Sequence, residues 1–223
     1  MGSVAVFINS CDKYNFTWEG LKYFYNKYWN WDIGWSVYCG TEEEEFDFGR
    51  VKNLRLGKRP FGEFIISAMD AIEEPYIFLQ MDDHWPLKRL DTALLKESLN
   101  YTKTHGVQRF GFYFNYHPRQ RPDIKMKNLC GHLFYKLTHN SKYLACLQPS
   151  LWPKSIIQEI IEPNWSPWNF EKDGTYKMRK LGYTNVYYVI KDNWYREAYA
   201  GGHHNNLQKN SEDYKLISKE FDY

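Results

Sequence analysis

The chain opens on a continuous apolar run, Val4 to Ile8, which stops at the polar cluster Asn9-Ser10-Cys11-Asp12. A run that is apolar at every position reads as a strand covered on both faces, the usual start of an α/β sheet. Residues Thr17 to Asn30 then carry Trp18, Leu21, Tyr25 and Tyr28 at helical spacing, and Trp35 to Cys39 makes a second short strand closed by Gly40. Strand, helix, strand predicts a right-handed βαβ unit with a parallel pair. A stretch from Leu54 to Arg59 leads through Pro60 into a helix with Ile65, Ala68, Met69 and Ile72 on one face, stopped by Glu74-Pro75. The next buried strand, Tyr76 to Leu79, runs directly into Gln80-Met81-Asp82-Asp83-His84.

A further amphipathic helix comes next, with Leu90, Leu94, Leu95 and Leu99 on its apolar face. Gln108 to Tyr116 alternates, with Phe110, Phe112 and Phe114 on one face and Arg109, Tyr113 and Asn115 on the other, the pattern of a half-buried strand. Beyond Asn115 the pattern turns irregular. It gives a basic loop (His117, Arg119, Arg121, Lys125, Lys127), strands around Leu133 to Thr138 and Tyr143 to Leu147, and a short helix near Ser155 to Ile161. Two helix-to-strand passages then end in Tyr187-Tyr188-Val189-Ile190 and a polar tail. No repeat or low-complexity linker divides the chain. We expect one domain over 1–223, with a ligand-binding half over about 1–116 and a second half over about 117–223 packed on it.

Composition narrows the class. The 223 residues are 43% hydrophobic and 25% charged with a net charge of +2, an ordinary globular balance that implies no nucleic-acid partner. Aromatic content is 19%, which suggests that some rings face a ligand with flat faces, such as a sugar or a nucleobase; a tyrosine-rich surface is the alternative. Cys11, Cys39, Cys130 and Cys146 show no C-x-x-C spacing and read as reduced thiols. The N-terminal apolar run is too short for a signal peptide, and no stretch approaches the roughly 20 apolar residues of a membrane span. A cytoplasmic setting is the expectation.

Three places carry candidate chemistry. Asp82-Asp83 stands at the carboxyl end of a buried strand, where open α/β sheets bind ligands, and carboxylate oxygens suit Mg²⁺ or Mn²⁺. The competing reading is a helix cap. His203-His204, in Ala200-Gly201-Gly202-His203-His204-Asn205-Asn206, is placed to supply a further metal ligand from a glycine-flanked segment, or is a surface loop. Glu171, in Ser166-Pro167-Trp168-Asn169-Phe170-Glu171, stands at a helix start, either as a general base or as a glutamate stabilised by the helix dipole. The acidic run Glu42 to Glu45 reads as a solvated loop without a role.

Taken together, the strand ending in Ser10-Cys11-Asp12, the segment Glu74 to Asp83, Leu147-Gln148-Pro149-Ser150-Leu151-Trp152 and the Ser166 to Glu171 block resemble GT-A glycosyltransferases over about residues 4–200. The chain is also similar to the N-terminal glycosyltransferase domain of an algal-virus enzyme that modifies the major capsid protein, which would place it in the cytoplasm of a host cell. The resemblance implies a GT-A, Rossmann-like α/β fold with a mixed, mostly parallel sheet. It further implies a UDP-sugar donor, Mn²⁺ or Mg²⁺, and a glycan or glycoprotein hydroxyl as acceptor. Position by position, Ser10, Cys11, Asp12, Tyr14, Tyr38 and Gly40 would line the nucleoside pocket. Asp82 would contact the ribose or the metal, Asp83 and one of His203 or His204 would ligate the metal, and Glu171 would be the base of an inverting transfer. Met81 stands where the family often has the first carboxylate of Asp-x-Asp. Two other classes remain open from sequence: a metal-dependent nucleotidyltransferase or phosphohydrolase, and a non-catalytic carbohydrate-binding module.

Overall fold

The computed structural model describes residues 4–86, 88–112, 122–189 and 195–197. In chain order these form β1 (Val4–Asn9), α1 (Trp18–Tyr28), β2 (Ser36–Thr41), β3 (Val51–Arg55), α2 (Phe61–Ala71), β4 (Tyr76–Met81), β5 (His84–Pro86), α3 (Thr92–His105) and β6 (Arg109–Gly111). The second half adds β7 (Pro122–Leu129), β8 (His132–Leu137), β9 (Ser150–Pro153), α4 (Lys154–Ile160), α5 (Pro167–Lys180), β10 (Val186–Val189) and β11 (Tyr195–Glu197).

Nine strands share one sheet in the order β3-β2-β1-β4-β9-β6-β10-β8-β7. The first four are mutually parallel, as the βαβ reading requires, and β9 runs antiparallel to both β4 and β6. Alternate side chains of β1 feed two cores. Val4, Val6 and Ile8 pack with α1 and α3 on one face, while Ala5 and Phe7 pack with α2, α4 and α5 on the other. Both faces being covered explains why the central strands are apolar at every position.

Three expectations change. The stretch 122–129, expected as part of a basic loop, is an edge strand paired antiparallel with β8. Its lysines mark it as polar, yet charged residues are how exposed sheet edges are kept from pairing with other chains. Tyr143 to Leu147, expected as a strand, is irregular: the Ala145 amide donates to Thr175 Oγ1 and the Leu147 amide to Glu171 Oε1, so α5 side chains take the place of a strand neighbour. Arg109, expected on a half-exposed face, is fully buried. Among the described residues most rings are core residues, including Trp18, Phe24, Trp29, Phe78, Trp85 and Trp152, so aromatic content by itself is not evidence of a ligand.

Candidate active site at the carboxyl edge of the sheet

Parallel strands bring the residues after them to one edge. Asn9 pairs with Gly40 and with Met81, so the ends of β1, β2 and β4 are level there. Leu79 pairs with Ser150 and Gly111 with Ser150, so the start of β9 and the end of β6 meet the same edge. The residues beyond these ends, Ser10 to Asp12, Glu42, Asp82-Asp83 and Leu147 to Pro149, therefore form one rim.

Asp82 is the most constrained of them. Its amide donates to the Asn9 carbonyl at 3.1 Å, Trp85 Nε1 donates to its carbonyl at 3.0 Å, and Ser10 Oγ donates to its Oδ2 at 2.5 Å. Trp18 Nε1 in turn donates to Ser10 Oγ at 2.8 Å, and the Ser10 amide donates to the Gly40 carbonyl. Burial, and then the neighbouring Asp83 carboxylate, push the Asp82 pKa up to about 8, against the pull of the Ser10 hydroxyl. Asp83 is partly exposed, and its Oδ1 lies 3.3 Å from Nδ1 of the buried His84. The helix-cap alternative falls away, because α3 starts at Thr92 and its cap is Asp91, whose carboxylate accepts from the Ala93 and Leu94 amides.

Asp12 lies at the rim in another capacity. Its carboxylate accepts the amides of Glu42, Glu43 and Glu44 at 3.1, 2.9 and 3.2 Å, and its own amide donates to Glu42 Oε2. The acidic run therefore has a role after all: its backbone wraps a carboxylate and ties the loop after β2 to the loop after β1. Cys11, between Ser10 and Asp12, is half-buried, and burial with Asp82 and Glu42 nearby raises its thiol to about 11. Tyr14 sits in the adjoining 3-10 turn, its ring edge-on to the exposed Phe16.

Two of the expected pocket residues point elsewhere. The Tyr38 hydroxyl accepts from Lys52 Nζ at 3.3 Å and lies 3.4 Å from Glu74, which precedes β4 and so belongs to the opposite edge. Gly40 reaches the rim only through its carbonyl; a Cβ there would come within 2.9 Å of the Phe64 and Phe7 rings, so its lack of a side chain serves packing against α2.

Glu171, in the second turn of α5, accepts the Leu147 amide and the Cys146 thiol, both at 3.1 Å. That contact fixes it beside the rim. The helix N-terminus is satisfied separately by a reciprocal capping box between Ser166 and Asn169. Beneath Glu171 lies the Arg109 guanidinium, 4.5 Å from the Tyr188 ring centre and 5.6 Å from that of Trp152. Burial lowers the Arg109 pKa, while the Cys146 and Glu171 side chains support its charge.

His203 and His204 lie outside the described residues. The strand leading toward them, β11, pairs antiparallel with β5, and its last residue, Glu197, is the one opposite His84. β11 thus ends level with His84, the residue after Asp83. Sequence reasoning misses His84 and Trp85, although their standing directly after the acidic pair is a readable signal.

In sequence the chain matches no family model and no curated protein. In structure it is similar to S. aureus TarS 1-349 in complex with UDP-GlcNAc, at 14% identity over 99% of this chain and 66% of that one, with a TM-score of 0.56. The chain has a GT-A-like fold, mixed α/β with one large central sheet. TarS 1-349 in complex with UDP gives 12% identity, 87% and 60% coverage and a TM-score of 0.55. A mycobacterial protein gives 10% identity, 83% and 64% coverage and a TM-score of 0.50. The chain thus spans 60% to 66% of those TarS chains. These matches lend no support to a viral origin. Among the described residues no helix is long and apolar enough to cross a membrane.

Proposed function

We propose that the chain is a glycosyltransferase that takes a nucleotide-sugar, a UDP-sugar, at the rim between β1, β2 and β4 and transfers the sugar to a hydroxyl of a glycan or glycoprotein. The observation that carries this reading is a GT-A-like fold that puts two adjacent carboxylates, one of them shielded from water, at the carboxyl end of β4. Structures of the same fold are known with UDP and with UDP-GlcNAc.

The acidic pair fits a divalent cation. Two adjacent carboxylates raise each other's proton affinity, as at Asp82, and hard oxygen donors suit Mg²⁺ or Mn²⁺. Among the described residues no group of three or more such side chains comes together, so Asp83 and at most Asp82 would hold the ion, with His203 or His204 as a further ligand and the diphosphate completing the shell. A bound cation supplies Lewis-acid neutralisation of charge on the departing diphosphate. Ser10 and Trp18 keep Asp82 in one orientation, His84 does the same for Asp83, and the Asp12-locked loops form the nucleoside wall. Glu171 accepts the proton of the attacking hydroxyl, an arrangement that inverts the anomeric centre.

Calorimetric titration of UDP with and without Mn²⁺ tests the reading. The wild-type chain is expected to bind UDP at least tenfold more tightly with Mn²⁺, and Asp83→Ala to lose that difference. Equal UDP affinity in Asp83→Ala and wild type with Mn²⁺ removes the metal assignment. Binding of dextran with no binding of UDP would mark a carbohydrate-binding module instead.

A further inference from the structure

The two most exposed large apolar side chains among the described residues, Trp168 and Tyr176, each 67% exposed, lie on one helix, α5. They are not scattered. With the exposed Lys172 and Lys180 they recur every fourth residue, Trp168-Lys172-Tyr176-Lys180, a stripe about 18 Å long at 1.5 Å per residue. The stripe lies opposite the buried face formed by Phe170, Gly174 and Met178. Ordinary solvent-facing helix positions are charged or small, and an exposed indole and phenol exclude little water unless something covers them. Asp173 lies on the flank of this face, where Asn169 Nδ2 donates to it at 2.8 Å. Lys177 is turned away into an ion pair with Glu162.

The stripe starts at the site. Trp168 is three residues before Glu171, which is anchored to Leu147 and Cys146 at the rim. From there α5 runs back along the outside of the molecule.

We propose that this stripe is an extended binding track for an anionic saccharide chain. Trp168 and Tyr176 would stack on the apolar C–H faces of sugar rings, and Lys172 and Lys180 would pair with the acid groups between them. The inference rests on the proposed glycosyltransferase reading and gives its acceptor a class: a polymeric saccharide carrying negative charge, whose end enters the rim at Glu171. A neutral glycan leaves the lysines without partners; a polyanion without rings leaves the aromatics without faces.

The test uses the full chain and three probes in affinity electrophoresis: dextran sulfate, neutral dextran of the same length, and polyphosphate. Dextran sulfate is expected to bind at least tenfold more tightly than either other probe. The double variant Trp168→Ala/Tyr176→Ala is expected to weaken it at least tenfold, and Lys172→Gln/Lys180→Gln to weaken it and flatten its salt dependence. Dextran sulfate binding unchanged in the aromatic variant, polyphosphate binding equal to dextran sulfate, or no binding of any probe overturns the proposal. UDP titration of the same variants separates the two readings. Intact UDP binding with lost saccharide binding supports the track, and lost UDP binding in wild type defeats the glycosyltransferase reading while the probe results still decide the track.

Discussion

At the scale of single residues the site is defined by charges withheld from water. Asp82 holds its proton to about pH 8 because burial, and then Asp83, disfavour its ionised form. The unfolded chain releases that proton near pH 4. Between those limits the native state binds more protons, so raising the pH across this window weakens the fold. Denaturation midpoints in chelator should therefore decline from pH 5 to pH 8 in the wild type. In Asp82→Asn, which keeps an acceptor for Ser10 and has no proton to lose, the decline should be smaller; an unaltered slope would show that Asp82 is ionised in the apo fold. The Arg109 and Glu171 side chains present the opposite case, a buried cation supported by an acid. Glu171→Gln keeps an acceptor for the Leu147 amide and deletes only the charge. It should destabilise the fold in chemical denaturation by roughly 0.5–3 kcal/mol, the usual range for losing a polar contact. Arg109→Met in the same background should recover part of that loss, because the guanidinium is then gone as well. A Glu171→Gln change of less than about 0.5 kcal/mol would mean that Arg109 draws its compensation from elsewhere.

At the scale of elements, close approach of two segments decides how far the site's geometry depends on packing. Gly20 of α1 faces the Trp85 ring so closely that a Cβ would lie 2.2 Å from it, and Trp85 is the residue whose indole holds the Asp82 carbonyl. Gly20→Ala must displace that ring. The expected result is a loss of about 1–3 kcal/mol, the range for overpacking, accompanied by weaker UDP binding. Gly49→Ala, where a Cβ meets nothing within 4 Å, should leave both unchanged and serves as the control. A Gly20→Ala protein with wild-type UDP affinity would uncouple the indole from the site. The same elements show what the sequence discloses. The elements β1, α1, β2, α2 and β4 and the place of Asp82-Asp83 at a strand end are legible because they depend on local apolar runs and on parallel connectivity, whereas β3, half-exposed at the sheet edge, shows no such run. The strand β7 is not legible either, since an edge strand with alternating lysines has the composition of a loop. The Tyr143 to Leu147 stretch misleads for the converse reason: its apolar side chains are buried, but the Ala145 and Leu147 amides are satisfied by Thr175 and Glu171 of a helix, 30 and 24 residues away. Tyr38 is expected in the pocket from the resemblance alone, yet a strand side chain lies above or below the sheet, and this one is directed toward Glu74.

At the scale of the molecule, the parallel half of the sheet supplies the rim, and the second half reaches it from two directions. One is α5, which brings Glu171 to the start of β9. The other is β11, which pairs with β5 and ends level with His84, next to Asp83. His203 and His204, the proposed further metal ligands, follow β11 in the sequence and lie outside the described residues. If either histidine completes a metal site together with Asp83, a donor bound with Mn²⁺ ties the end of the chain to β4, and the stabilisation it gives depends on those two residues. UDP at a hundred times its Kd contributes about 2.7 kcal/mol to the folded state. For a chain of this length about 2–4 °C accompanies each kcal/mol, so a rise of roughly 5–10 °C in Tm is expected with UDP and Mn²⁺ together. His203→Ala/His204→Ala should lower that rise toward the value for UDP alone while leaving the ligand-free Tm within about 1 °C, because both faces of the sheet are already covered by cores built from the described residues. Replacing each histidine singly identifies the ligand as the one whose loss reproduces the double variant. If the double variant retains the full Mn²⁺-dependent rise, the ion is held by the acidic pair and the diphosphate without help from the end of the chain.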